Sequence, residues 1–307
     1  MPDLSFAMNL PPEKALEYFR GKENAKDKGW NWQEVWQEEH AKTFTVAKCV
    51  KADILQDLRT ALDQAMAKGE TFEQFRKNLE PTLRAKGWWG KQIAVDAEGN
   101  ASTIQLGSPY RLRNIYRTNL QTAYMAGRYR EQMDEVEDRP YWQYVAIRDS
   151  RTRPAHLAMD GRVYRWDDPI WGHIYPPNDW GCRCRVRTLD ERGLTRKGLT
   201  VEKSWANLTR PEQKNPSTGE TLPRTVYRIP GRRETFSPGW GWDYNPGRTN
   251  WHPDLDKYSP DIQRQYLKTT YPEFLKFIAN PVEGVNIPVG LLSDEVVERL
   301  GSETRIV

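Results

Sequence analysis

Residues 148–187 read RDSRTRPAHLAMDGRVYRWDDPIWGHIYPPNDWGCRCRVR. Two of the chain's four histidines, two of its three cysteines and eight arginines fall inside this stretch, with no lysine, so chemistry is expected here before anywhere else. In an extended strand the side-chain period is two, which puts Cys182, Cys184 and Val186 on one face and Arg183, Arg185 and Arg187 on the other. One face is soft and dry; the other is cationic, with guanidinium groups free to meet acids or phosphates. Upstream, PPNDWG at 176–181 reads as a rigid turn that delivers the chain into that strand. His156 begins a short helical piece, HLAMD, closed by Gly161 as a left-handed cap, and a strand follows over 163–166. The preceding residues 141–147 alternate as a strand. The centre therefore reads helix, strand, short helix, strand, turn, strand: a small α+β unit with an antiparallel sheet.

Thiolate and imidazole are the preferred ligands of zinc. His156, Cys182 and Cys184 supply three, with His173 or Asp160 available as a fourth. Cys-x-Cys is a tighter and less specific chelate than the spacings with two or more residues between cysteines. Two other readings stand beside a structural zinc ion. One is a pair of small buried thiols with His156 bonded to a backbone carbonyl; the other is a redox or catalytic thiol. A disulfide between the two cysteines is disfavoured, because neighbours on one strand face lie about 7 Å apart at Cα, the far edge of disulfide geometry.

The order Arg153, His156, Asp160-Gly161, then Pro176-Pro177-Asn178 and Cys182-Arg183-Cys184, resembles the Mu F-like head-morphogenesis family of tailed phages and prophages. The helix around Ile115-Tyr116-Arg117-Thr118-Asn119, with Ala123 and Gly127 following, is similar to that family's helix ahead of the motif. The likeness runs from about residue 50 to residue 190, and the opening Pro11-Pro12-Glu13-Lys14-Ala15 resembles the start of many members. It implies a minor head protein of the virion, associated with the portal and major capsid proteins and assisting assembly, DNA packaging or ejection, with any metal structural. The extra His173 between the motif halves, and a C-terminal part without a match, depart from the family pattern.

At 307 residues the chain has room for two domains and a sizeable core. Only 37% of it is hydrophobic, yet it holds thirteen tryptophans and fourteen tyrosines. Such large amphipathic rings on a polar chain suit either extensive contact surfaces or the core of a hydrophilic protein. A net charge of +4 is too mild to make a nucleic-acid-binding protein by itself. Three cysteines, with Cys49 isolated, fit a reducing compartment. No basic, apolar leader and no run of about eighteen apolar residues occurs, so the expectation is synthesis in the bacterial host cytoplasm and no membrane partner.

The expected division is a helical N-terminal region over 1–90, a core over 91–190 and a Pro/Gly/aromatic-rich extension over 191–307. In the first, helices are expected over 13–19, after Asn31 (with His40 on its aromatic side) and over 52–68, the last with a Leu55, Leu58, Leu62, Ala65 stripe closed by Gly69. Thr71 and Gln74 form a capping box for a further helix that Pro81 interrupts. Gly87-Trp88-Trp89-Gly90 is a hinge or an anchor, followed by a hairpin with its tip at 97–100. A long helix starts at Ser108 and Pro109. It carries five arginines and no acid up to Arg130. Arginines near a helix N-terminus oppose the macrodipole, so pairing with the five aspartates of the central stretch is expected, a phosphate- or carboxylate-bearing partner being the alternative. Beyond 200, proline and glycine dominate. A short strand is expected within 224–229, an ordered aromatic loop over 238–247, and helices near Ser259 and Ser293.

Three functions follow. A structural head protein is favoured, with a structural zinc at His156, Cys182, Cys184 and His173 as its one expected cofactor. A DNA-binding accessory factor would use Arg113, Arg117, Arg183 and Arg185 on phosphates or on a protein partner. A metal-dependent hydrolase, nuclease-like or toxin-like enzyme would activate water on the metal. No HExxH helix, P-loop or Gly-x-Ser-x-Gly elbow is present, and no carboxylate is placed as a general base. No residue is therefore assigned a catalytic role.

Overall fold

The computed structural model describes residues 12–24, 42–49, 51–95 and 101–251. The helix expected after Asn31, the hairpin tip at 97–100, His252 and the helices near Ser259 and Ser293 lie outside these residues. The described residues through Asn250 make one compact unit.

The N-terminal helices form where local signals place them: α1 (Pro12–Arg20), α2 (Ala52–Lys68) and α3 (Phe72–Ala85). Along α2, Ile54, Leu55, Leu58, Leu62 and Ala65 make a buried stripe, and Gly69 closes the helix at φ +64° with its N–H on the Ala65 carbonyl. Thr71 and Gln74 complete the capping box of α3. Pro81 does not interrupt α3, which continues to Ala85. Pro81 and Lys77, the residue four before it whose carbonyl Pro81 cannot bond, are both exposed. Trp88 is an anchor: its buried indole donates to the Lys48 carbonyl at 2.8 Å and holds the antiparallel hairpin of β3 (Lys91–Val95) and β4 (Ala101–Gln105), strands β1 (Glu23–Asn24) and β2 (Thr43–Phe44) having paired in parallel before it.

Ser108 caps α4 (Pro109–Asp134), whose 26 residues span about 39 Å. This helix belongs to two cores. Leu112, Tyr116, Ala123 and Ala126 join the helical cluster with Leu58, Leu62, Phe75 and Leu83. Tyr124, Met125 and Tyr129 join a second cluster with Trp142, Tyr144, Tyr164, Trp171 and Tyr175. A Cβ placed on Gly127 would lie 3.0 Å from the Ala15 nitrogen, which is why α1 can pack so closely there.

The arginines of α4 are not paired with the central aspartates. Arg111 donates to the carbonyls of Gln105, Leu106 and Ala47, Arg128 to that of Val186, and Arg130 pairs with Glu17. Unpaired carbonyls at strand and loop ends are abundant acceptors next to the helix, and a guanidinium fork reaches them without a second buried charge.

The central sheet has the order β7-β5-β6-β8, from β5 (Tyr141–Val145), β6 (Val163–Arg165), β7 (Arg185–Leu189) and β8 (Val201–Glu202). β5 is antiparallel to β6 and to β7, but β8 joins β6 in parallel, so the sheet is mixed rather than purely antiparallel. Arg162 reaches Glu202 at 2.5 Å and Asp168 accepts the Ser204 N–H at 3.0 Å, and these contacts dock β8. The fold is accordingly α+β. β7 starts at Arg185, later than expected: beyond the Val145↔Arg185 pair the facing chain turns, and the Ala146 N–H goes to Asp160. The alternation of burial nevertheless extends back through Cys184 to Cys182.

Residues 191–250 are part of the same compact unit as the central sheet. After α7 (Glu191–Lys197), capped by Asp190, strands β9 (Leu208–Thr209), β12 (Val226–Arg228) and β13 (Thr235–Phe236) form a three-stranded sheet, and β10 (Glu212–Lys214) with β11 (Thr221–Pro223) a hairpin; α5 (Pro154–Ala158), α6 (Ile170–His173) and α8 (Pro246–Trp251) complete the helices. Tyr227, Ile229 and Phe236 pack into the central cluster, so apolar side chains carry this Pro/Gly-rich segment onto the core. The loop at 238–247 is ordered against the turn at 176–181: the Gly239 N–H donates to Asn178 O at 2.8 Å, and the Trp180 and Trp242 rings meet edge to face.

Candidate metal centre

Three chain segments bring His156, Cys182 and Cys184 together. α5 opens at Pro154, whose ring suits the first helical position, and lifts His156 into the core. The helix ends at Ala158 with Met159 as its right-handed cap, so Gly161 does not cap it; Gly161 turns the chain two residues later at φ +86°, and its N–H and C=O bond Tyr144 and Gln143 of β5. The turn at 176–181 returns the chain, with Gly181 at φ +67° directly before the first thiol. Side chains from α4 hold the third segment: Gln121 donates to the Cys184 carbonyl at 3.3 Å, and Arg128 and Gln132 both donate to the Val186 carbonyl at 2.9 Å. β7 is a sheet edge, and these donors cover it.

The result is a buried group. His156 Nδ1 lies 3.7 Å from Cys182 Sγ and 3.5 Å from Cys184 Sγ, and the three ligand atoms all fall within 4.8 Å of one another. His156 is 4% exposed, Cys182 6% and Cys184 2%. Both thiols are free, and the Phe236 ring packs on the imidazole with centroids 5.2 Å apart. Cys182 accepts the backbone N–H of Asn178, and Tyr144 hydrogen-bonds Cys184. The Cys184 hydrogen bond, followed by His156, holds the Cys182 thiol well below the ordinary range, while the same neighbour and burial push Cys184 up.

The motif's other polar residues staple its halves. Arg183 takes both oxygens of Asp149, at 2.7 and 2.6 Å, and holds that carboxyl well below the usual carboxylate range. Arg153 pairs with Asp179 at 3.3 Å and donates to the Trp180 carbonyl at 2.9 Å. Asp160 accepts from the Ala146 N–H and pairs with Arg148. Asn178 is wholly buried and donates to the Tyr144 hydroxyl and the Ile174 carbonyl.

His173 is not part of this group. Its Nδ1 bonds Asp243 at 3.0 Å, and Asp243 also accepts the Thr225 N–H. A buried carboxylate 70 residues further on captures the ring instead. Asp160, occupied by Ala146 and Arg148, does not join the thiols either. Of the four arginines assigned to partners, Arg113 and Arg183 are electrostatic neighbours of Arg117. Arg113 lies over the Phe72 ring at 4.8 Å, Arg183 is committed to Asp149, and Arg185 is half-buried near Tyr124, Arg128, Arg187 and Asp160. Arg117 lines a cleft with Gln121, Gly181, Cys182, Arg183 and Trp242. Asp149, Tyr144 and Phe236 escaped the sequence reading; each meets the site across a long loop, and no local spacing marks them.

The family profile of phage Mu protein F like proteins matches residues 56–187, from α2 through the thiols to β7. Through this segment the chain belongs to the Mu F-like family. This Mu F-like chain is 44% identical over 248 residues to the putative capsid assembly protein F of Escherichia phage Mu, a match covering 80% of this chain and 56% of that protein. It is 47% identical over 229 residues to the Mu-like prophage FluMu F protein of Haemophilus influenzae, covering 74% of this chain and 54% of that one. The chain thus spans about half the length of these curated relatives. A likeness over 80% of the chain necessarily extends past residue 190, where the sequence reading found no match. No solved structure matches the chain. No helix among the described residues is long and apolar enough to cross a membrane.

Proposed function

We propose that this chain is a component of the phage head that acts in capsid assembly, in a structural rather than an enzymatic capacity. The observation that carries this reading is the 44% identity over 248 residues with a protein named for capsid assembly. The organisation of the molecule supports it. The most chemically distinctive side chains, His156, Cys182 and Cys184, are inside a core, and Arg148, Arg153 and Arg183 are tied to acids of the same motif. In the finer form of the proposal the chain sits in the virion head beside the portal protein, with the major capsid protein as neighbour. Deleting the gene from an inducible prophage should leave defective heads, counted by electron microscopy after induction; normal, DNA-filled heads would end the proposal. Co-sedimentation of the purified chain with portal rings or with empty shells assigns the partner.

One observation favours a second reading, contact with phage DNA. Arg117, in its cleft, has Arg113, Arg151 and Arg183 as electrostatic neighbours, with Glu73 opposing them. Arg117→Ala should reduce the slope of log affinity against log salt by about one on double-stranded DNA, and an unchanged slope would remove this contact.

A further inference from the structure

We propose that His156, Cys182 and Cys184 are three ligands of a structural zinc ion. The first ground is distance. With Zn–S near 2.3 Å and Zn–N near 2.0–2.1 Å, a tetrahedral ion sets a thiolate sulfur and an imidazole nitrogen about 3.6 Å apart. The observed separations are 3.7 and 3.5 Å, both to the same atom, His156 Nδ1. A single ring nitrogen carries at most one proton and can form one good hydrogen bond along its lone-pair or N–H direction. Equidistance from two sulfurs is the geometry of a shared ion.

The second ground is the shell around the sulfurs. Each has its own donor, the Asn178 backbone N–H for Cys182 and the Tyr144 hydroxyl for Cys184. Asn178 Nδ2 in turn donates to that hydroxyl at 3.2 Å, so the two donors belong to one network. Donors directed at ligand atoms fix ligand orientation and are a regular part of metal sites. The third ground is charge. Two thiolates and one divalent ion sum to zero, which suits a group enclosed by Phe236 and Tyr144, whereas an isolated buried thiolate does not.

Among the described residues no fourth histidine, cysteine or carboxylate joins the three. Cys182 also lines the cleft of Arg117 and Trp242, which gives the ion an entry path. Bound there, zinc closes the 26-residue excursion between His156 and Cys182 and fixes the irregular backbone on which the central core is built.

The test uses the full chain, purified without a histidine tag under reducing conditions. Elemental analysis should give about one zinc per chain. After chelation, added cobalt(II) should produce thiolate-to-cobalt charge-transfer absorption and tetrahedral d–d bands, saturating at one equivalent. Cys184→Ser should abolish the two-thiolate spectrum and Cys49→Ser should leave it unchanged. Because the first of these variants is a core substitution, the wild-type stoichiometry decides the matter independently of how it folds. A folded wild-type chain that binds no cobalt, or whose spectrum survives Cys184→Ser, overturns the site. Chelation should lower the melting temperature by about 5 °C or more; binding without any such shift overturns the structural role.

Discussion

The two cores that share α4 are made in different ways. In the helical one, Leu55, Leu58, Leu62, Phe75, Leu79 and Leu83 interlock along regular helices that satisfy their own backbone. In the central one the chain between Val145 and Arg185 is mostly turns and single helical turns. Its interior is aromatic, with Trp142, Tyr144, Tyr164, Trp171 and Tyr175, and buried polar side chains satisfy the main chain: Asp160 at Ala146, Asp168 at Ile170 and Ser204, Asn178 at Ile174. Periodic burial builds the first. The second depends on a few named hydrogen bonds, because an irregular buried backbone must find its partners among side chains.

The largest effect expected is at Trp142, which is fully buried and meets the rings of Tyr129, Trp171 and Tyr175. Trp142→Ala should destabilise by about 3–5 kcal/mol in denaturant unfolding. Its indole N–H is buried without a partner, so Trp142→Phe, which removes that donor, should recover more than half of the loss. In the helical core Leu58→Ala should cost about 3 kcal/mol. The two residues belong to separate clusters, so the double variant should be additive to within about 0.5 kcal/mol. A coupling much above that would mean α4 transmits strain between the cores and that they are one.

The same contrast explains what the chain discloses before it is folded. The α2 stripe with Gly69, the Thr71–Gln74 box, Ser108 with Pro109 and the small Gly127 face were all legible, because each obeys a rule acting within a few residues. The meeting of His156 with Cys182 and Cys184 was legible too, since a stiff turn and a strand period constrain it. The parallel β8, the capture of His173 by Asp243, Phe236 on the imidazole and the Arg183–Asp149 fork were not. Those partners are 34 to 80 residues apart, and nothing in local spacing selects one acid or ring over another. Pro81 inside α3 shows the converse: a strong local rule yielded because the position faces water.

A smaller effect sharpens the claim that hydrogen bonds, not charges, hold the central backbone. Asp160 bonds the Ala146 N–H at 2.8 Å and also pairs with Arg148, whose side chain is 79% exposed. Asp160→Ala should cost about 1–3 kcal/mol, since it leaves a buried N–H without its acceptor. Asp160→Asn, which keeps an acceptor oxygen and loses only the exposed ion pair, should cost less than about 1 kcal/mol. Equal losses would place the stabilisation in the charge.

Asp149 tests the one charge pair of the motif where geometry is best, and its effect should be the smallest. Arg183 grips both carboxylate oxygens, and Arg151 N–H and side chain add to it, which is why the carboxyl sits well below its usual range. A group whose pKa is depressed by folding binds fewer protons in the folded state than in the unfolded one. Its contribution is therefore present above the unfolded value of about 4 and is lost as pH falls below it. Asp149→Asn should accordingly be less stable than the parent at pH 7, with the gap closing as pH drops from about 4 toward 2. Because the pair is open to solvent, 1 M salt should shrink the gap at pH 7 as well. A gap that is independent of both pH and salt would show that Asp149 acts through its hydrogen bonds alone and that the central core draws nothing from the charge of this pair.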